Sequence, residues 1–175
     1  MKYRPLGTTN MEVSEVGFGA WTVSTNWWGK ITESEGVNLL VKAYDLGVNF
    51  FDTAECYGNS EELIGKTVAH RRDEIVLATK AGHPSTGSSG RPWTGQTVRD
   101  SIDRSLVKLK TDHVDLVQVH AYDISAPPPD EVIEAVIDAK ESGKTRFLGY
   151  SGENEAAEWA VLSGLFDTLQ TPFSL

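Results

Sequence analysis

The sequence predicts an α/β fold in which a parallel sheet curls into a β/α barrel. Three observations carry that prediction. Strand-like and helix-like segments alternate along the chain with mostly short links, which implies a parallel sheet with helices outside it. Four residues suited to acid–base chemistry, Asp52, Tyr57, Lys80 and His120, fall at or just past the ends of successive strands. A barrel gathers such ends on one rim, so residues distant in sequence converge there. The rival, an open doubly wound sheet, usually carries a glycine-rich phosphate turn after its first strand. Here Gly17-Phe18-Gly19-Ala20-Trp21-Thr22 lacks the third glycine.

The elements follow in order. Tyr3 to Ser14 reads as a hairpin around the turn-rich Gly7-Thr8-Thr9-Asn10, and Val16 to Gly19 as the first barrel strand. Thr32 to Leu46 is a helix: Thr32 and Glu35 fit a capping box, and Val37, Leu40, Val41 and Tyr44 recur at helical spacing. Val48 to Asp52 is the second strand. Ser60 to about Ala69 is the second helix, with Ser60 at its start and Glu61 and Glu62 suiting the dipole. Ile75 to Lys80 is the third strand, and His83 to Gly95 a long surface loop. Thr97 to Lys110 is a helix with Val98, Ile102, Leu106 and Leu109 on one stripe, followed by a fourth strand, Val114 to His120. Pro127-Pro128-Pro129 leads into a helix from Asp130 to Ser142. A fifth strand, Phe147 to Ser151, a helix from Asn154 to Ser163 ended by Gly164, and a sixth strand, Asp167 to Gln170, complete the series.

Composition narrows the function. The net charge is -9, which disfavours nucleic acid, because phosphate binding needs a basic face. Cys56 is the only cysteine, so an internal disulfide is impossible and a reducing compartment is expected. The first residues have no apolar signal-peptide core, and no run approaches the roughly 20 apolar residues of a membrane span. The expectation is one domain over residues 1–175, cytoplasmic, with no membrane contact. No HExxH or CxxC spacing appears, so no metal site is expected.

The chemistry rests on the four strand-end residues. Taken singly, each has an ordinary explanation: a turn aspartate, a packed tyrosine, a solvated lysine, a structural histidine. Their placement on successive strand ends of one βα series favours a site. Tyrosine has a pKa of about 10, and a nearby ammonium lowers it. Lys80 supplies that ammonium in this reading, with Asp52 holding the lysine in place. Strand alternation puts Lys80 on one face with Val76 and Ala78, Asp52 with Val48 and Phe50, and His120 with Leu116 and Gln118. Tyr57 would donate a proton to a carbonyl oxygen as hydride reaches its carbon, while His120 orients the carbonyl or shares the proton.

At these residues the chain resembles the aldo-keto reductases. FDTAECYGNSEELIGK, VLATKAG, DLVQVH and FLGYSG are similar to that family's successive motifs, and PLGTTNMEVSEVGFGAW to its hairpin and first strand. The resemblance implies a (β/α)8 barrel that reduces aldehydes and ketones with NADPH or NADH. It implies a catalytic tetrad of Asp52, Tyr57, Lys80 and His120, with Ser151 and Gln170 holding the nicotinamide carboxamide and Asp52, Ala20 and Trp21 near the cofactor. Gly152 stands where the family often has Asn; Asn154 is the nearest substitute. Trp21, Trp27, Trp28 and Trp93 lie in rim loops and suggest an aromatic substrate wall. Cys56 reads as a buried, inert thiol. His70, His83 and His113 read as surface or loop residues.

Five βα units and a sixth strand fall short of the eight of a closed barrel. The expectation is therefore an incomplete barrel with weakened cofactor anchorage. Its unpaired sheet edges imply either self-association through those edges or a fragment of a longer protein. Two other readings stay open: a binding or regulatory module that kept the fold, and an aldolase-like lyase using Lys80 as a Schiff-base nucleophile.

Overall fold

Turn chemistry and apolar alternation in the first 14 residues produce the expected antiparallel hairpin. In the structure, a computed structural model that describes residues 1–24, 29–83, 93–120 and 127–173, β1 (Tyr3–Pro5) pairs with β2 (Glu12–Ser14), Tyr3 opposite Ser14. The turn closes through Leu6 N–H donating to the Met11 carbonyl at 2.8 Å. Met11 and Val13 on this hairpin pack against Val76, Phe50 and Phe147, and so cover one end of the sheet.

The remaining strands form one six-stranded sheet in sequence order, every pair parallel. They are β3 (Phe18–Gly19), β4 (Phe50–Asp52), β5 (Val76–Ala81), β6 (Val114–His120), β7 (Thr145–Ser151) and β8 (Thr168–Gln170). This is a curled half-barrel, the incomplete (β/α)8 arrangement that the sequence predicts. Helices α1 (Glu33–Asp45), α2 (Ser60–Thr67), α3 (Gly95–Leu109), α4 (Asp130–Glu141) and α5 (Asn154–Ser163) connect the strands.

The main core lies between sheet and helices. Phe51, Leu77, Val117, Val119, Leu148 and Tyr150 face Leu40, Leu63, Ile64, Val98, Ile102, Val132 and Val136. The alternate residues of each strand form the inner face, and register aligns them in layers. Asp52 pairs with Ala78, Lys80 with Gln118, His120 with Ser151, and Ser151 with Gln170. Gly149 is required in this face, because a Cβ there would lie 2.9 Å from Gln118 Cγ and 2.6 Å from Thr168 Oγ1.

The helices obey their local signals. Thr32 closes the predicted capping box with Glu35, and Gly164 ends α5 at φ 66°. Several boundaries differ from expectation. β3 covers only Phe18–Gly19, and Ala20–Val23 coils into a 3-10 turn. β4 starts at Phe50 because Asn49 is tied to the hairpin: its Oδ1 accepts from Ser14 N–H at 2.7 Å, and its Nδ2 donates to the Glu12 carbonyl at 2.8 Å. Ser60 does not cap α2. Asn59 holds that position, and the Ser60 hydroxyl instead shares a 2.7 Å hydrogen bond with Thr53. Past α2 a second 3-10 segment, Ala69–Glu74, replaces the expected last helical turn. α3 begins two residues earlier than expected, because Thr94 rather than a later residue accepts from Thr97 N–H. β7 starts two residues earlier than expected, at Thr145.

Candidate active site

The C-terminal strand ends place the acid–base residues. Asp52 ends β4, Lys80 is the penultimate residue of β5, and His120 ends β6. Tyr57 comes from the loop between β4 and α2. There Tyr57 N–H donates to the Ala54 carbonyl and Ser60 N–H to the Tyr57 carbonyl, each at 3.0 Å. Gly58 follows at φ +53°, a conformation that side chains disfavour.

That loop is anchored by carboxylates that are not legible as such in the sequence. Glu55 is buried, and its Oε1 accepts from Arg104 Nε at 3.2 Å and Lys108 Nζ at 3.0 Å, both on α3. Glu61 is buried too, and accepts from Thr79 Oγ1 at 2.7 Å. Burial pushes the Glu61 carboxyl pKa up, opposed by the hydroxyls of Thr79 and Ser105. Its position beside the start of α2 suggests a dipole partner, a reading that hides its role as a tie between helix and sheet. The loop, through Glu55, is tied to α3, and the start of α2, through Glu61, to β5, which fixes where Tyr57 points.

Lys80 and Asp52 form a buried ion pair. Lys80 Nζ donates to Asp52 Oδ2 at 2.5 Å and to the Thr53 carbonyl at 3.0 Å. Gln118 Nε2 donates to Asp52 Oδ1 at 3.1 Å. Each polar atom of the pair thus meets a partner, as a buried charge requires. Gln118 was detectable only as a polar residue on the inner face of β6, one layer below His120.

Tyr57 and His120 meet at the rim. Tyr57 Oη lies 3.5 Å from His120 Nε2, and the two rings meet edge-on, 5.6 Å between centroids. The ammonium of Lys80 stands over the Tyr57 ring, 5.0 Å from its centroid, and is not bonded to the hydroxyl. This reverses the expected tuning. Burial first, then the negative charge of Asp52, push the Tyr57 pKa upward. The phenol is fully protonated at neutral pH. His120 moves the other way: burial, then Lys80 and His83, bring its pKa down to about 3, so its imidazole is neutral.

The other predicted residues separate into two groups. Ser151 and Gln170 sit side by side on β7 and β8, with Ser151 Oγ donating to Gln170 Oε1 at 3.2 Å. Trp21 is half-buried, its ring 6.4 Å from Tyr57. Ala20 is wholly buried, and its methyl packs in the main core. Gly152 occupies its place for a steric reason, since a Cβ there would lie 2.7 Å from the Tyr150 ring. Asn154 opens α5 with φ 56°. Trp93 leans edge-on against His83 and packs on the core, while Trp27 and Trp28 lie outside the described residues. His83 is exposed as expected, yet its ring stands 5.6 Å from that of His120, on the rim itself. Cys56 is half-buried, its thiol pKa raised by burial to about 11 and its Sγ 3.6 Å from His120 Nδ1.

A nicotinamide cofactor fits this donor set. A hydroxyl and a primary amide on adjacent strand ends complement a carboxamide, and they lie one and two register steps from His120. The clamped Lys80, held by Asp52 and Thr53, is poorly placed as a free amine for Schiff-base chemistry.

Comparisons with known proteins point to one family. A family model described as the aldo/keto reductase family matches residues 15–170. The chain is 37% identical over 156 residues to an uncharacterised oxidoreductase of Bacillus subtilis, covering 86% of this chain and 49% of that protein. It is 37% identical over 161 residues to L-galactose dehydrogenase of Arabidopsis thaliana, covering 87% and 49% respectively. Among solved structures, an aldo-keto reductase from Bacillus halodurans in its holo form superimposes with TM-score 0.74 at 34% identity, over 87% of this chain and 50% of that one. A putative aldo-keto reductase from Pseudomonas aeruginosa gives TM-score 0.81 at 30% identity, over 99% and 68%. The chain spans about half the length of the curated relatives it matches.

Proposed function

The chain belongs to the aldo/keto reductase family, and on that premise we propose that it carries the acid–base half of a carbonyl reductase. The substrate is a small aldehyde or ketone, reduced to the alcohol with NADPH or NADH. The observation that carries the reading is the rim cluster: a protonated Tyr57 hydroxyl 3.5 Å from a neutral His120, backed by the buried Lys80–Asp52 pair.

A reduced nicotinamide, when bound, would supply the hydride (one proton with two electrons) that the carbonyl carbon takes up. The chain's own residues handle the rest. Tyr57 gives its hydroxyl proton to the carbonyl oxygen as negative charge develops there, and the alkoxide is never released. His120 Nε2, beside the same oxygen, orients the carbonyl. The Lys80 ammonium, over the Tyr57 ring, offsets the negative charge left on the phenolate before solvent restores its proton. Asp52 and Gln118 keep Lys80 in register. Ser151 and Gln170 would hold the carboxamide of the cofactor, and the ring of Trp21 would form a wall beside the substrate.

The alternative of a non-catalytic binding module lacks such support, because it leaves the buried ion pair behind Tyr57 without a purpose. Calorimetric titration with NADPH and NADH tests the proposal. Binding of either, weakened by Ser151→Ala, is expected. No binding at millimolar concentration of both would contradict it.

Two further readings belong to the whole chain. No helix among the described residues is long and apolar enough to cross a membrane, and a cytoplasmic location accords with the single half-buried thiol. Self-association is the second: β3 and β8 each have one strand neighbour in the described sheet, so a second copy could pair there.

A further inference from the structure

His120 has two ring nitrogens and each meets a different side chain. Nε2 faces the Tyr57 hydroxyl at 3.5 Å, and Nδ1 faces the Cys56 thiol at 3.6 Å. A neutral imidazole carries one proton, so the partner of one nitrogen decides the state of the other. We infer that Cys56 is a positioning residue: its thiol donates to Nδ1 of His120 and thereby fixes the imidazole proton on Nε2, facing Tyr57 and the substrate carbonyl.

The direction of the bond follows from the chemistry of both groups. Burial keeps the thiol protonated well past neutral pH, with its pKa pushed up to about 11. A protonated thiol donates weakly and accepts poorly. Burial likewise keeps His120 neutral. The consistent pairing is S–H donating to an unprotonated Nδ1. Cys56 is adjacent to Tyr57 in the chain, and Glu55 on its other side is fixed by Arg104 and Lys108. The thiol is thus held against the ring by the same loop that presents the tyrosine.

The consequence reaches the proton that matters. With the imidazole proton on Nε2, His120 is a donor toward the rim and cannot accept from Tyr57. The Tyr57 hydrogen then remains available to a carbonyl oxygen. With the proton on Nδ1, Nε2 would accept the Tyr57 hydrogen and divert it from the substrate. A residue read from sequence as an inert buried thiol therefore acts on the acid–base pair through the far side of the histidine ring.

This inference rests on the reading of Tyr57 and His120 as the acid–base pair, and its test separates the two. The chain labelled with 15N-histidine is examined at pH 7 by long-range 1H–15N correlation, with His120 assigned by loss of its signals in His120→Gln. Wild type is expected to show a pyrrole-type Nε2 and a pyridine-type Nδ1. Cys56→Ala should move His120 toward a mixture of tautomers or the Nδ1-protonated form, and Cys56→Ser, which keeps a donor, should restore the wild-type pattern. In turnover, Cys56→Ala should lower kcat by about threefold to tenfold with the cofactor KM unchanged, the scale of one neutral hydrogen bond. Cys56→Val serves as a second donor-free variant should the alanine form fold poorly. A wild-type proton on Nδ1, or spectra of Cys56→Ala and Cys56→Val identical to wild type, would overturn the inference. Retained turnover in Tyr57→Phe would instead remove the functional reading while leaving the tautomer assignment standing.

Discussion

Tyr57 and His120 sit together with their pKa values displaced in opposite directions, one upward and one down to about 3. Both shifts come first from burial, so both groups are neutral near pH 7. The sequence presents the right four residue types at successive strand ends, and the structure brings them together. It could not present the sign of the tyrosine shift. That sign depends on where the Lys80 ammonium points, and Lys80 turns toward Asp52 and the Thr53 carbonyl instead of the phenol oxygen. The histidine shift has a thermodynamic consequence. His120 titrates near pH 6.5 when unfolded and near 3 when folded, so between those values the unfolded chain binds more protons. Its contribution is therefore complete above about pH 6.5 and is lost as pH falls toward 3. Urea midpoints of wild type minus those of His120→Asn should fall steadily across that window. A difference that is flat with pH would show that His120 titrates normally.

At the scale of elements, alternation and caps were legible and tertiary ties were not. α5 runs between the residues that its pattern marks, from Asn154 to Ser163, and β6 does so from Val114 to His120. Boundaries moved where a side chain found a distant partner. Asn49 reaches the hairpin and shortens β4, and Ser60 reaches Thr53 and leaves the cap of α2 to Asn59. Such pairings cross many residues and leave no local signal. The α2–α3 contact is another. A Cβ on Gly65 would lie 2.3 Å from the Lys108 carbonyl oxygen. Gly65→Ala should therefore cost about 1–3 kcal/mol, the usual scale of overpacking, measured by urea unfolding. The end of α3 offers the opposite change. Lys110 adopts the left-handed conformation at φ 56°, with its N–H capping Leu106 and Val107. Lys110→Gly should raise stability by about 1 kcal/mol, because glycine meets no Cβ penalty there. A fall in the unfolding midpoint would contradict that account of the cap.

For the whole molecule, the sheet is a half-barrel with a hairpin over one end and the acid–base cluster on the opposite rim. Strand register sets Asp52, Lys80 and His120 at the ends of three neighbouring strands, and the loop after β4 adds Tyr57. The same open sheet motivates the self-association proposal. Sedimentation equilibrium should detect species heavier than the 19.2 kDa chain, and a strictly monomeric chain across micromolar concentrations would set it aside. The central claim is that Tyr57 donates the proton in a nicotinamide-dependent carbonyl reduction. Its most direct test is the initial rate of aldehyde-dependent NADPH and NADH oxidation by wild type and by Tyr57→Phe, with circular dichroism confirming that the variant folds. The account predicts turnover in wild type and a loss of about 10²-fold or more in Tyr57→Phe, the scale of general acid catalysis. Equal rates in the two proteins would contradict it.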